Sequence, residues 1–223
     1  MNEELSGYVK RMSVKSMKVY YGLLVCLALL LGVMLLCRAP GKYLLLCGAI
    51  SVLYIVIIYS VEHSRRKSAR ENIDRLFCRL SSSEQHEVME KLREMPIEQW
   101  KAGFAATPEI TFFTNGHGVH AIPTNTILWA YEKIDIMVPL FKYYSVYMYT
   151  EDGEKHNCEV GMCPIWGGRV QDDMVTNAVW NLQRYYPGII SGYSRDLYRI
   201  FTRDIEAVKQ MYRDREAQNK MVP

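Results

Sequence analysis

The chain has almost no excess of charge of either sign: 27 Lys and Arg stand against 24 Asp and Glu over 223 residues. A dedicated nucleic-acid binder needs a one-signed surface to compete for phosphates, so no nucleic acid is expected as a partner. Internal repeats and low-complexity segments are absent, and so are G-x-S-x-G, H-E-x-x-H and a phosphate-binding loop. Without a strained nucleophile elbow, a paired-histidine metal helix or a glycine cradle for phosphate, the sequence names no reaction. Charge is also missing locally, and there its absence is informative.

Residues 19–37 (VYYGLLVCLALLLGVMLLC) and 43–61 (YLLLCGAISVLYIVIIYSV) are two runs of nineteen residues without a charge. At about 1.5 Å per residue each would make a helix roughly 28 Å long, matched to a hydrocarbon core of roughly 30 Å. Only Arg38-Ala39-Pro40-Gly41-Lys42 lies between them. Pro40 and Gly41 break a helix where the chain must reverse, so a tight antiparallel transmembrane hairpin is expected. Tyr20, Tyr21, Tyr43 and Tyr59 fall near the span ends, where amphipathic rings anchor at the interface. Lys10, Arg11, Lys15 and Lys18 precede the first run, and Arg65, Arg66, Lys67, Arg70 and Arg75 follow the second, against Arg38 and Lys42 in the turn. The positive-inside rule then puts both termini in the cytoplasm of a two-pass cell-membrane protein.

A cleaved signal peptide is disfavoured because the first run exceeds a signal core and no A-x-A site follows it. Lipoprotein processing is disfavoured because Val25, Leu36 and Leu46 precede Cys26, Cys37 and Cys47, where a small residue is needed. In this setting the 6 cysteines are expected as reduced thiols, with no bridge between Cys158 and Cys163. The expected organisation is a basic cytoplasmic segment 1–18, the hairpin 19–61, charged linker helices 62–104 and an α+β domain 105–223.

Beyond the second run 162 residues remain, enough for one hydrophobic core. Residues 62–80 read as a charged helix with Ile73, Leu76, Phe77 and Leu80 on one face. A second helix starts at Ser81-Ser82-Ser83, with Ser81/Glu84 or Ser82/Gln85 spaced as a capping box, buries Val88, Met89, Leu92 and Met95, and ends at Pro96. Past Pro108 the pattern becomes extended. Residues 110–114 and a run ending at Ile122-Pro123 form a hairpin about Asn115-Gly116, and 127–134 is a third strand with Trp129 and Tyr131 on one face. Residues 143–150 and 155–161 form a hairpin about Asp152-Gly153. A two-residue turn there would set Tyr149 opposite His156, Tyr147 opposite Cys158 and Ser145 opposite Val160 on the core face. That makes five strands. A helix with Val170, Met174, Ala178, Leu182 and Tyr185 along one stripe ends at Pro187-Gly188. A last helix, about 195–218, has Ser194 as its N-cap. Strands followed by helices indicate α+β.

Two stretches, ITFFTNGHGVHAIPTNTILWAYEKI at 110–134 and RYYPGIISGYS at 184–194, resemble segments of bacterial pleckstrin-homology-like domains. In uncharacterised Gram-positive membrane proteins two N-terminal spans precede such a domain. The resemblance covers about 105–215 and rests on packing and turn motifs. It implies a small, strongly bent antiparallel sheet closed by a C-terminal helix; two helices after the sheet, and five strands instead of seven, depart from that pattern.

Candidate chemistry is thin. His117, His120, His156, Cys158 and Cys163 fall within one stretch, but residues three apart on a strand face opposite ways and Cys158-x4-Cys163 is no zinc-knuckle spacing, so no metal and no cofactor are expected. Buried structural cysteine accounts for Cys158 better than a catalytic dyad. Gly167-Gly168 reads as a turn, and Asp172 and Asp173 suit a helix N-terminus. The tyrosine-rich segment 141–149 reads as half-buried sheet whose edge could take a partner peptide. Arg65, Arg66, Lys67 and Arg70 lie just past a span, where each cation near an anionic surface contributes about 1 kcal/mol; setting topology alone is the plainer role. The expectation is a non-enzymatic membrane protein whose cytoplasmic domain binds lipid head groups or a protein. The alternatives are a membrane-anchored enzyme with a His/Cys site around 117–163, or a structural subunit of a membrane complex packed through Ala28-x3-Gly32.

Overall fold

A computed structural model describes residues 3–13, 41–95, 103–115, 118–137 and 141–221. The first apolar run, the turn residues 38–40 and His117 lie outside the described residues. The described chain is α+β. Its helices are α1 (Glu3–Ser13), α2 (Gly41–Arg79), α3 (Ser82–Glu94), α4 (Arg169–Tyr185), α5 (Arg195–Arg203) and α6 (Ile205–Met221). Its strands are β1 (Phe104–Ala106), β2 (Ile110–Asn115), β3 (Gly118–Pro123), β4 (Ile127–Met137), β5 (Phe141–Thr150), β6 (Lys155–Pro164) and β7 (Ile190–Ser191).

Helix α2 begins at Gly41, directly after Pro40, and runs for 39 residues without a break, about 58 Å at the helical rise. Apolar residues 43–61 and the charged stretch after them therefore share one rod. Among the described residues no helix is long and apolar enough to cross a membrane; most side chains of 43–61 fall outside the description, while their backbone is helical throughout. The end of α2 is closed from α3: Gln85 Nε2 donates to the carbonyls of Phe77 and Leu80 at 3.1 Å each. That leaves Ser81/Glu84 as the capping box. The Glu84 N–H donates to Ser81 Oγ at 3.3 Å and the Ser81 N–H to the Glu84 carboxylate at 2.7 Å. α3 stops at Glu94 because Met95, preceding a proline, is extended (φ −67, ψ 129).

Two sheets follow. β1, β2 and β3 form an antiparallel sheet; the second has the order β6-β5-β4-β7, with β7 parallel to β4. Strand β1 was not expected. It is three residues long, and Gly103 before it, at φ 72, leaves room for the buried Thr114 side chain, which a Cβ there would strike. Seven strands are thus described where five were expected.

The β5–β6 register corrects the sequence reading by one residue. Tyr149 pairs with Lys155, Met148 with His156, Tyr147 with Asn157 and Val146 with Cys158. The Thr150 N–H donates to the Glu154 carbonyl and the Gly153 N–H to the Thr150 carbonyl. Hence the loop has three residues, Glu151-Asp152-Gly153, with Gly153 at positive φ (86), the bulged form instead of the two-residue turn. A slip of one transfers every side chain to the other face. Tyr147 and Tyr149 leave Cys158 and join Trp129 and Tyr131.

Helix α4 buries Val175, Ala178, Val179 and Leu182, with Met174 and Tyr185 packed against the same cluster, so the expected stripe meets the core except at Val170, which is exposed. The expected last helix is two, α5 and α6. Asp204 breaks it (φ −148, ψ 83), and its Oδ1 accepts from the Ala207 N–H at 3.1 Å, starting α6.

Three apolar clusters hold these parts. Phe104, Phe113, Val146, Met148, Val160 and Leu182 join the two sheets to α4. Trp129, Tyr131, Tyr149, Leu197, Phe201 and Val208 join the other face of the second sheet to α5 and α6. In the remaining one, Leu5, Val9 and Met12 of α1 pack with Ile73 and Phe77 of α2, Val88 and Leu92 of α3, and Phe112 and Val119 of the first sheet. Arg93 adds a bidentate pair to the Glu4 carboxylate, both bonds at 2.7 Å, and Asn72 Nδ2 donates to the Ala121 carbonyl at 3.1 Å. Ile73 and Leu5 are both fully buried. Ile73→Ala and Leu5→Ala should each lower unfolding stability in detergent by about 2–5 kcal/mol, as buried truncations do. A denaturant titration in which Leu5→Ala matched wild type would show α1 undocked.

Candidate functional site

The basic run predicted to meet lipid lies on α2 between the apolar stretch and the core. Its backbone is helical throughout; Lys67 and Arg70 are exposed, Ala69 and Ile73 buried, and the side chains of Arg65 and Arg66 lie outside the description. At the helical rise, residues 65–70 stand about 6–14 Å past position 61. That is the depth of a head-group layer if 61 ends the hydrocarbon. Guanidinium groups bind phosphate oxygens bidentately and ammonium groups as point charges, so the run has the chemistry for phosphodiester groups.

The His/Cys region is brought together only in part. His156 and Cys158, two apart on β6, do share a face. Cys158 is fully buried and its thiol donates to the Gly103 carbonyl at 3.4 Å. The rings of His120 and His156 each lie 5.7 Å from that of Phe113, one stacked and one edge-on. The two imidazoles thus pack against one phenyl ring. Among the described residues no group of three or more His, Cys, Asp or Glu could hold a metal, and Cys158 and Cys163 are free thiols.

Beside His156, Thr150 donates to Asp152 Oδ1 at 2.5 Å and lies 3.5 Å from His156 Nε2. The Thr150 hydroxyl also reaches the Glu154 carbonyl at 3.2 Å. This network closes the β5–β6 turn. Thr150 is 2% exposed, so its hydroxyl is not open to a substrate. The hydrogen bond from Thr150 holds the Asp152 carboxyl below its usual range.

A third feature was half legible. Trp129 pairs with Tyr149 and Tyr131 with Tyr147 across β4 and β5. Tyr193, Tyr198 and Phe201 complete the aromatic layer, with ring centroids 5.2 Å apart for Tyr131–Tyr193 and 4.8 Å for Tyr149–Phe201. Trp129 Nε1 donates to the Gly192 carbonyl at 2.8 Å, so the buried indole has its partner. Lys155 Nζ lies 4.3 Å from the Tyr147 ring centre and Lys133 Nζ 5.6 Å from it; Lys133 also pairs with Asp135 at 2.9 Å. Burial above all pushes the Tyr131 hydroxyl far above its ordinary value, so it stays protonated beside Tyr149. Glu151-Asp152-Gly153 between the tyrosine-rich β5 and β6, read as a three-residue bulged loop, was the signal that would have put Tyr147 and Tyr149 on the face of Trp129 and Tyr131.

Burial holds the His156 imidazole below its ordinary value, and the carboxylates of Glu154 and Asp152 offset this only in part. An unfolded imidazole takes up its proton near pH 6.5, about the reference value; the folded one does so lower. Between the two the unfolded state binds more protons, so stability holds above about pH 6.5 and falls as pH drops toward the folded value. His156→Gln should shrink the loss of thermal midpoint between neutral pH and about pH 5. Equal losses in both proteins, read by circular dichroism melts, would place the acid sensitivity elsewhere.

Comparison with known proteins adds no relative to this description: no family model, no curated protein and no solved structure matches the chain.

Proposed function

We propose that the chain is a non-enzymatic, two-pass membrane protein with both termini cytoplasmic, whose pleckstrin-homology-like domain holds anionic lipid head groups against Arg65, Arg66, Lys67 and Arg70. The observation that carries this reading is the unbroken α2, which leads from an uncharged run of nineteen residues through the basic run into the core at Ile73. Nothing in the rod allows the basic residues to be displaced far from the end of the apolar run.

Chain parity supports the hairpin. Residues 3–13 pack on α2 beyond Ala69 and on α3, so the chain between Ser13 and Ala69 starts and finishes on one side of any membrane it enters. That requires an even number of crossings, and the two uncharged runs supply two. The pleckstrin-homology-like assignment is supported by two sheets that share a core closed by α4. Among the described residues only the 3-10 turn Thr124–Thr126 interrupts the strands before α4.

Fusions of green fluorescent protein to either end should fluoresce, and fusions of an export-dependent phosphatase there should be inactive; an active phosphatase at one end only would break the parity. Native mass spectrometry of the full chain released from mixed vesicles should retain phosphatidylglycerol in preference to phosphatidylcholine. Retention should fall in high salt and in a variant with Arg65, Arg66, Lys67 and Arg70 all changed to Gln. Equal retention of both lipids would leave the run with a topological role and turn the search to a protein partner at the membrane.

A further inference from the structure

Strand β4 is covered along only part of its outer side. β7 pairs with it at Trp129 and Ala130, and Gly192, at φ 84, then turns the chain off the strand. The tyrosine-rich β5, expected to offer an edge, is instead paired on both sides, to β4 and to β6. Among the described residues the outer side of β4 has no backbone partner beyond Ala130, which leaves 131–137 as a free edge. Such an edge is a row of N–H and C=O groups ready to take another strand, and folded proteins blunt it with proline, a bulge or a covering element. Residues 131–137 contain no proline and no glycine, and the register to β5 runs without a bulge from Trp129 to Met137. Ile134 and Ile136 are 46% and 69% exposed on it. Lys133, the charge that would repel a second strand, is already neutralised by Asp135 at 2.9 Å.

The charge pattern of the edge identifies its occupant. Side chains alternate with period two, so Glu132, Ile134 and Ile136 share one face and Tyr131, Lys133 and Asp135 the other. When two copies pair antiparallel about a twofold axis, each residue faces one of the same face, and one residue at the centre faces itself. Centring on Lys133 or on Asp135 sets like charges directly opposite, which is unfavourable. Centring on Ile134 sets Lys133 of each copy opposite Asp135 of the other and Ile134 opposite Ile134, with Ile136 on the diagonal to Ile134 of the second copy. Glu132 then faces Ile136, and its carboxylate already accepts from Thr176 Oγ1 at 2.8 Å. Residue 134 is also the midpoint of 131–137, so this register alone overlaps the free edge along its whole length. Charge and length select the same alignment. A strand that is its own complement about its own midpoint fits a second copy of this chain better than a foreign peptide.

We propose that the chain forms a homodimer through β4, antiparallel about a twofold axis at Ile134, so that the second sheets of two copies become one continuous sheet. The inference does not rest on lipid binding by the basic run. Under the membrane-anchored reading both copies lie in one bilayer, and their raised local concentration lets an edge of this length suffice.

The test co-expresses two differently tagged forms of the full chain and captures one through the other in mild detergent. Wild-type copies should capture each other. Lys133→Glu paired with itself sets Glu against Asp135, and Asp135→Lys paired with itself sets Lys against Lys133, so each variant should lower self-capture by about tenfold or more. Mixing the two variants sets opposite charges at both positions again, and capture should return to the wild-type level. Loss of the pair within one chain cannot be repaired by mixing, so this recovery reads contact between copies. The Lys133 and Asp135 side chains are 46% and 40% exposed, and both variants should keep the wild-type melting transition. A second measurement needs no charge change. In a Cys78→Ser background, which removes the exposed native thiol, Ile134→Cys should give a covalent dimer on mild oxidation, since facing residues lie about 4.5–5.5 Å apart, within disulfide reach. Ile136→Cys should not, its two copies lying about 14 Å apart along the strands. Single variants that capture themselves as wild type does would place the contact elsewhere and overturn the proposal. So would a mixture that stays apart, equal cross-linking at 134 and 136, or wild-type copies that fail to capture each other, which would leave the edge to a different protein.

Discussion

The seam made by Ile73 and Phe77 determines how the rest of the chain can be arranged. These two side chains, one helical turn apart on α2, are touched from three directions: by α1 from the N-terminus, by α3 folding back after the capped turn at Ser81, and by the outer side of the first sheet. Packing of this kind is worth little until all the partners are present, since each exposed half of the seam remains hydrated. Residues separated by most of the first half of the sequence are therefore committed to one core. The ion pair between Arg93 and Glu4 lies on the surface above it and adds orientation more than stability.

The second sheet is covered on both faces, and that explains its odd composition. A strand buried on one side alternates apolar with polar residues; β5 reads Phe-Lys-Tyr-Tyr-Ser-Val-Tyr-Met-Tyr-Thr and scarcely alternates. One face of it meets α4 and the first sheet through Val146 and Met148, the other meets α5 and α6 through Tyr149. Tyrosine suits the second role because its ring can be buried while its hydroxyl finds another hydroxyl or a solvent edge. Lys155 and Lys133 lie over the Tyr147 ring, which covers the last of that layer with side chains whose charge remains in water.

Most elements were legible because they announce themselves locally. Ser81 and Glu84 at capping distance, Pro96 after an apolar stripe, and Gly153 between two extended runs each carry a short-range physical cause. What was not legible depended on contacts far apart in sequence. Strand β1 is three residues whose extended form is fixed by pairing Phe104 with Phe113, and nothing within Phe-Ala-Ala asks for a strand. Helix α1 is short and polar by average, and only the fully buried Leu5, Val9 and Met12 reveal that it completes a core. The one-residue register slip came from reading Asp-Gly as a two-residue turn, when Thr150 and Glu154 exchange the closing hydrogen bond. Of the candidate residues, the basic run was evident from its position, while Tyr147 and Tyr149 could be grouped with Trp129 and Tyr131 only once the strand registers were known.

The continuity of α2 has a mechanical consequence. A helix with every backbone hydrogen bond intact bends only gently over its length unless a proline, a glycine pair or a bulge interrupts it, and residues 62–79 contain neither proline nor glycine. Under the proposed anchoring, a spanning helix answers a thinner or thicker bilayer mainly by tilting. In this chain the tilt cannot be absorbed at the membrane surface. It is carried along α2 into the seam at Ile73, so that the domain as a whole changes its inclination to the membrane as lipid thickness changes.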